Sequence, residues 1–143
     1  MSATNAFEQK ILELWLDNVG AANIGDATGL RGSTSAGNIY VSLHTADPGE
    51  TGDQTTSETA YTNYARVAVA RGTAWTTSGG ASENVAAIVF PACGATGSTI
   101  THFGLGFAAS GAGSRDFNGA APYTAASGNT PEFAIGALDL TLD

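Results

Sequence analysis

Two histidines and one cysteine are the side chains in this sequence with the widest range of chemistry. His44 and His102 each lie in a segment of alternating polar and apolar residues, and neither has a carboxylate or a cysteine at the spacing of metal ligands. We therefore expect both to be hydrogen-bonded histidines within strands, and we expect no metal site. Cys93 has no second cysteine with which to form an intrachain disulfide, so we expect a small buried apolar side chain there.

The other patterns with a catalytic or ligand-binding meaning are incomplete. The stretch Gly104–Ala109 resembles a dinucleotide-binding fingerprint, but it lies in a strand-like alternation with no helix after it, which favours a Gly-rich turn. Ser35 lacks the glycine spacing of a nucleophile elbow. Four carboxylates lack the order of a calcium loop and indicate a solvated acidic loop: Asp47, Glu50, Asp53 and Glu58. The sequence thus predicts no catalytic residue, no cofactor and no enzyme activity.

Cations are scarce in this chain, and two of them, Arg66 and Arg71, flank the apolar centre of one predicted strand. An arginine fork on an exposed strand face pairs well with a carboxylate. That carboxylate can belong to the same chain or to a neighbouring subunit, and the sequence favours neither.

The composition indicates which partners to expect. The formal net charge of -8 opposes binding to phosphate backbones, so we expect no nucleic-acid partner. Charged residues make up 13% of the chain, where about a quarter is usual. A surface of small neutral residues loses little side-chain entropy when another protein covers it, which favours a protein built to be covered; a neutral-surfaced β domain with flexible loops is the alternative. No signal-peptide pattern and no long apolar run is present, so we expect neither secretion nor a membrane partner.

The elements that must position these residues begin with one helix, predicted over residues 5–18. Four apolar side chains share one of its faces at helical spacing: Phe7, Ile11, Leu14 and Trp15. Asn5 and Glu8 resemble a capping box at its start. Residues 19–38 are rich in Gly, Ala, Ser and Thr without any period, which predicts a loop or contact arm.

After the loop the period changes to two, which predicts strands. These are expected at residues 39–44, 64–71, 85–90, 99–108 and 133–142, with a weak strand around Phe117 and an exposed polar loop at 50–62. A register change near Gly136 predicts a bulge or bend. We expect a mainly β fold in which an N-terminal amphipathic helix precedes an antiparallel β sandwich, jelly-roll-like or barrel-like. The length fits a single domain over residues 1–143, with the sandwich at 39–143.

Several segments occur in a recognisable order. Residues 41–49 read V-S-L-H-T-A-D-P-G, residues 64–66 read Y-A-R, and residues 100–105 read I-T-H-F-G-L before A-A-S-G at 108–111. With the preceding helix, they resemble a family of small tailed-bacteriophage structural proteins labelled tail-fibre-like or head-decoration proteins. The resemblance covers nearly the whole chain and departs from the pattern at 19–38 and 111–129. It implies a virion structural role and brings no catalytic residues.

We therefore expect a bacteriophage virion structural protein, and a capsid decoration or cement protein on the outer surface of the head shell is the main interpretation. Its partner would be the phage major capsid protein, and it would form a homo-oligomer such as a trimer after assembly in the host cytoplasm. The alternative is a tail- or fibre-associated component that binds tail proteins and takes part in host recognition, with the acidic loop after Asp47 as its tip. A small enzyme or a sugar-binding sandwich would need a polar pocket around His44 and Tyr64.

Six side chains are predicted to contact a partner, because aromatic and arginine residues dominate protein interfaces. They are Trp15, Tyr40, Tyr61, Tyr64, Arg66 and Arg71. Trp75 is expected in the core instead.

Overall fold

The computed structural model describes residues 3–21 and 32–142, and these hold one α-helix and nine β-strands. The predicted mainly β class, with antiparallel sheets after one N-terminal helix as in a sandwich-like fold, is confirmed. The chain alternates between two compact units: Met1–Asn38, Ala70–Ile88 and Phe133–Asp143 form the first, and Ile39–Val69 and Val89–Glu132 form the second. The predicted single domain stays a prediction.

The strands form three sheets. In chain order they are β1 (Asn38–His44), β2 (Val67–Ala70), β3 (Trp75–Ser78), β4 (Ala81–Asn84), β5 (Ile88–Val89), β6 (Ser98–Gly106), β7 (Arg115–Ala125), β8 (Glu132–Phe133) and β9 (Asp139–Thr141). The sheet orders are β2-β1-β6-β7, β3-β4-β9 and β5-β8. The pairs β1/β6, β6/β7, β3/β4 and β4/β9 are antiparallel.

The helix begins where the sequence predicts, but it is not capped as predicted. α1 spans Asn5–Leu12, and Thr4 is its N-cap, without a side-chain capping bond. The predicted capping box is wrong, because Asn5 is already helical and its amide donates to the Gly79 carbonyl instead. A side chain that has a tertiary acceptor within reach need not fold back on its own helix terminus.

The buried face of the helix also differs from the predicted stripe. α1 packs against β3 and β4; Leu12 at its end and Leu16 in the π-helical turn after it are buried, whereas Phe7 is 47% exposed. Leu12 and Leu16 widen the apolar face that the sequence predicts, and the chain buries this edge of the face, because it is the one that meets the β3–β4 sheet.

The helix ends in a π-helical turn, Glu13–Asp17, and Asn18 follows it in the left-handed conformation. The final carbonyls of a helix need outside donors. The Arg71 guanidinium supplies them, at 2.7 Å from both the Leu14 and the Trp15 oxygens, and the Gly72 amide donates to the Leu16 oxygen. Arg71 therefore works as a C-terminal helix cap within the first unit.

Most of the predicted loop or contact arm at 19–38 lies outside the described residues, which omit 22–31. Asn18, directly before this segment, binds the backbone of Ser33 near its other end. The side-chain nitrogen of Asn18 donates to the Ser33 oxygen at 2.8 Å, and its side-chain oxygen accepts from the Ser33 amide at 2.7 Å. Arg71 also donates to the Ala36 oxygen at 2.9 Å. The helix end and residues 33–36 are thus held together by side chains.

One hairpin was missed by the sequence analysis. β3 and β4 pair directly and are joined by Gly79 and Gly80, both with positive φ. A Gly-Gly pair between short strands is a known hairpin signal, because two-residue turns of the favoured type need positive φ at both positions. The flanking Thr and Ser residues concealed the signal, since they do not alternate in hydrophobicity.

The other strand predictions hold with changed bounds. The 64–71 segment forms only the four residues of β2, the 85–90 segment forms only β5, and the weak strand around Phe117 is the eleven-residue β7. The predicted bend near Gly136 is confirmed, because Gly136 has a φ of +69° and separates β8 from β9. The predicted Gly-rich turn at 104–109 is wrong at its start, since Gly104 and Gly106 lie within β6.

The central pair of strands, β1 and β6, has two unlike faces. Val41 lies opposite Leu105 and Leu43 opposite Phe103, and this face is apolar. On the other face Ser42 lies opposite Gly104, and His44 opposite His102. Since β1 is buried on both faces apart from its first residues, a further segment must cover the polar face.

Candidate functional site

The polar face of β1 and β6 is covered by residues 45–59, which we call the cover loop. Backbone hydrogen bonds hold its two ends together. The Thr45 amide donates to the Ser57 oxygen at 2.8 Å, and the Thr59 amide donates to the Leu43 oxygen of β1 at 2.9 Å. Gln54 in its middle is fully buried. The predicted exposed polar loop at 50–62 is therefore wrong for its inward-facing residues, although Asp47 and Glu50 are exposed.

Gln54 is held in place by the backbone around it. Its amide nitrogen donates to the Tyr40 oxygen at 3.3 Å, and its side-chain oxygen accepts from the Ala108 amide at 3.1 Å. A Cβ on Gly106 would lie 2.6 Å from the Gln54 side chain. Gly106 of β6 thus leaves the space that this polar side chain fills.

A second contact joins the cover loop to the segment before β2. Arg66 binds Glu58 with both prongs of its fork, Nε to Oε1 at 2.7 Å and Nη2 to Oε2 at 2.8 Å. Its Nη1 and Nη2 atoms also donate to the Ala108 and Gly111 oxygens, each at 2.9 Å. Of the two pairings that the sequence left open for Arg66, the structure shows the one within the chain.

Tyr64 completes this cluster. Its hydroxyl donates to Glu58 Oε1 at 2.8 Å and accepts from the Leu43 amide of β1 at 3.0 Å. Burial raises the pKa of the Tyr64 phenol, so the hydroxyl keeps its proton and remains a donor. The hydrogen bonds that Arg66 donates to Glu58 raise the pKa of the Arg66 guanidinium in turn. The V-S-L-H-T-A-D-P-G and Y-A-R segments therefore meet around Glu58.

His44 makes the third contact and lies fully buried at the end of β1. Its Nδ1 lies 2.8 Å from the Thr56 oxygen, which can only accept, so Nδ1 carries the proton. Nε2 then accepts from the Ser42 hydroxyl at 2.9 Å. Desolvation lowers the pKa of the imidazole, which keeps it neutral near pH 7. His44 is thus the satisfied strand histidine that the sequence predicted.

A serine bonded to a histidine has the layout of an activated nucleophile. Here both side chains are fully buried. A Cβ on Gly104 would lie 2.8 Å from His44 Nε2 and 2.9 Å from the Ser42 oxygen, so no room for a substrate exists on that side. The arrangement can hold the cover loop in place, but it presents no reactive atom to solvent.

Arg115, at the start of β7, anchors the turn at the other end of the cover loop. Its Nη2 donates to the carbonyl oxygens of Pro48, Gly49 and Gly52. The predicted turn at Asp47–Gly49 is present, with a bond of 2.9 Å from the Gly49 amide to the Asp47 carboxylate. Four separate side chains, those of His44, Tyr64, Arg66 and Arg115, therefore hold one loop in place.

An open cavity of about 270 Å³ adjoins the Glu58 cluster in the second unit. It is lined by Glu58, Tyr64, Ala65, Arg66, Ala109, Ser110 and Gly111. The guanidinium donors that face Glu58 are already paired, and the Arg66 side chain is only 3% exposed. The cavity thus offers mostly backbone and small side chains to a ligand.

The six predicted interface residues lie in different surroundings. Tyr61 is buried, packs edge-on against Tyr64 at 5.3 Å between ring centroids, and donates to the Pro91 oxygen. Burial raises the pKa of the Tyr61 phenol to about 12. Trp15, Tyr40, Tyr64 and Arg71 are half-buried, and the side chain of Arg66 is almost fully buried. Their contact with a partner stays a prediction, and Trp75 is buried as predicted.

The sequence analysis did not identify three residues of this site: Gln54, Glu58 and Arg115. Glu58 and Gln54 were assigned to a solvated loop, because nothing in their spacing shows that Gly106 leaves room for Gln54 or that Arg66 and Tyr64 bond Glu58. The one available signal was the scarcity of cations, since each arginine in a chain with few cations has several possible carboxylate or carbonyl partners. Cys93 is buried as predicted.

Within residues 3–21 and 32–142, no group of three or more His, Cys, Asp or Glu side chains is placed to hold a metal ion. In the same part of the chain, no helix has the length and hydropathy to cross a membrane.

Comparison with protein-family models matches residues 2–141 to the family described as podophage GP4 fiber I protein gp80. No curated protein matches the sequence. The family match spans both motifs that meet around Glu58, and it supports a virion structural role of the fibre type.

Proposed function

Because the chain belongs to the podophage GP4 fiber I protein gp80 family, we propose that it is a fibre-type component of a phage tail. The family match carries this proposal, and it favours the tail- and fibre-associated alternative over capsid decoration. The partners in this proposal are tail proteins and further copies of the same chain. The protein acts by binding, as a part that stabilises the assembly to which it is attached.

A mostly apolar surface in the first unit, bordered by the Glu83 carboxylate near Gly136, supports assembly with other copies. Ile135 is 70% exposed and Val85 is 41% exposed. Four alanines nearby are exposed as well: Ala86, Ala87, Ala134 and Ala137. We call these six residues the apolar patch. Chains with a net charge of -8 repel one another, so copies approach most easily where charged side chains are fewest.

The apolar patch is held rigidly by Asn84, which is buried beneath it. The Asn84 amide donates to the Ala86 and Ala134 oxygens, each at 2.8 Å, and its oxygen accepts from the Leu138 amide at 2.9 Å. The Gly136 amide donates to the Asn84 backbone oxygen. A fixed surface loses less entropy on binding than a mobile one, which favours its use as an interface.

The copy number of this chain per virion tests whether it lies in the tail or on the head. We expect quantitative mass spectrometry of purified virions to find the chain in a small number of copies relative to the major capsid protein. A number close to that of the capsid protein would instead identify a decoration protein on the head, and absence from virions would contradict a structural role altogether.

The substitution Ile135→Asp tests the apolar patch. It places a charge at the centre of the proposed contact, so we expect the dissociation constant of the homo-oligomer to rise about thirtyfold, which corresponds to about 2 kcal/mol. Sedimentation velocity over a concentration series measures it. Val19→Asp is the matched control, because Val19 is also an exposed β-branched residue of the first unit but lies outside the patch. Equal effects of the two variants would argue against the patch, and a monomeric wild type would exclude the homo-oligomer.

A further inference from the structure

The proposed function does not require that a histidine be buried beneath the cover loop and bonded to it, as His44 is. The imidazole is out of water, and one of its two hydrogen bonds goes to the cover loop itself, through the Thr56 oxygen. The other goes to Ser42 on the same strand. Opening of the loop would remove the first bond and give the ring access to water.

The groups around His44 disfavour a second proton on its ring. Arg115 approaches from β7, because its Cδ and His44 Nε2 each lie 2.8 Å from the position of a Cβ on Gly104. Arg66 approaches from the segment before β2. Glu58 is the carboxylate that faces His44, and its two oxygens are already bonded by Arg66 and Tyr64.

His102 lies directly opposite His44 on β6, and its Nδ1 bonds the Thr101 hydroxyl. A proton added to His44 would thus be buried beside two guanidinium groups, with one carboxylate that is already paired. The cost of that charge disappears when the loop opens and water reaches the ring.

We propose that His44 makes closure of the cover loop sensitive to acid, so that uptake of a proton by the imidazole opens residues 45–59 while β1 and β6 stay paired. The direction follows from burial, since the pKa of His44 lies below its ordinary value of 6.5 in the closed loop and returns toward it in the open loop. The open form therefore binds more protons below pH 6.5. Closure is most stable above that pH and weakens as the pH falls toward the closed-state pKa.

Hydrogen exchange measured by mass spectrometry on the full chain tests this proposal. After correction for the intrinsic pH dependence of exchange, we expect protection of residues 45–59 to fall about tenfold for each pH unit by which the two pKa values differ. Protection of β6, residues 98–106, should not change. Unchanged protection of the loop between about pH 7.5 and pH 5 would overturn the proposal.

Two variants test whether the imidazole of His44 causes the pH dependence of loop protection. His44→Gln cannot titrate, so its cover loop should show the same protection at both pH values. His102→Gln is the matched control and should respond like the wild type, because it removes the neighbouring histidine instead. A pH response that persists in His44→Gln contradicts the assignment.

A measurement on the wild-type protein tests the proposal even if the His44→Gln variant fails to fold. NMR titration of the ring resonances should show His44 half-protonated below pH 6.5, over the same range in which the loop amides lose protection. An imidazole that titrates at or above its ordinary value, or outside that range, would rule out the acid-sensitive closure.

Discussion

Arg66→Met is expected to lower the free energy of unfolding by about 3 kcal/mol, because it leaves a largely buried carboxylate without its partner. The Arg66 and Glu58 side chains are 3% and 17% exposed, so water can replace little of the lost interaction. The variant also leaves the Ala108 and Gly111 oxygens without their donors. Urea unfolding near pH 7, followed by tryptophan fluorescence, measures the change.

The double variant Glu58→Gln/Arg66→Met is the control for Arg66→Met. It removes both charges, so no unpaired carboxylate remains, and we expect it to be more stable than the single variant. Arg66→Lys should fall between the wild type and Arg66→Met, because an ammonium cannot make the two parallel bonds of the fork. A loss below about 0.5 kcal/mol for Arg66→Met would mean that the pair behaves like an exposed surface ion pair.

Gly106→Ala is expected to destabilise the second unit by about 3 kcal/mol through overpacking. A Cβ at this position would lie 2.1 Å from the Ser114 backbone oxygen and 2.6 Å from the Gln54 side chain. A backbone oxygen cannot move aside as a flexible side chain can, so β6 or the chain before β7 must shift. Thermal and urea unfolding of the purified variant give the size of the effect.

Gly128→Ala provides the comparison for Gly106→Ala. Gly128 has a φ of +86° and nothing within 4 Å of an added Cβ, so only the backbone conformation opposes the substitution. We expect a loss of about 1 kcal/mol for that reason. If the two alanine variants were equally stable, the close approach of Ser114 and Gln54 to β6 would not be the feature that requires glycine at position 106.

The strand predictions succeeded where one face of a strand is apolar. The alternation of Ile39, Val41 and Leu43 identified β1 within one residue, because burial of one face imposes a period of two on the sequence. The β3–β4 hairpin was missed for the opposite reason. Its Thr and Ser residues carry no such period, and its partners, α1 and β9, come from distant parts of the chain.

The side chains around the cover loop could not be paired from the sequence. Arg66 had possible partners within the chain and outside it, and the choice of Glu58 depends on how residues 45–59 fold back over β1. That fold depends on space left by Gly104 and Gly106, whose meaning is clear only when β1 lies beside β6. The same holds for Arg71, whose carbonyl partners on the helix lie more than fifty residues earlier in the chain.

The sequence by itself determined the β-rich class, the single N-terminal helix and the burial of Cys93 and Trp75, because hydrophobic period and residue type act locally. Only the tertiary structure decided which helix face is buried, that the acidic loop covers a sheet, and which carboxylate holds Arg66. These outcomes depend on contacts between residues far apart in the chain, and each long-range partner is selected by shape and by the cost of an unpaired buried group.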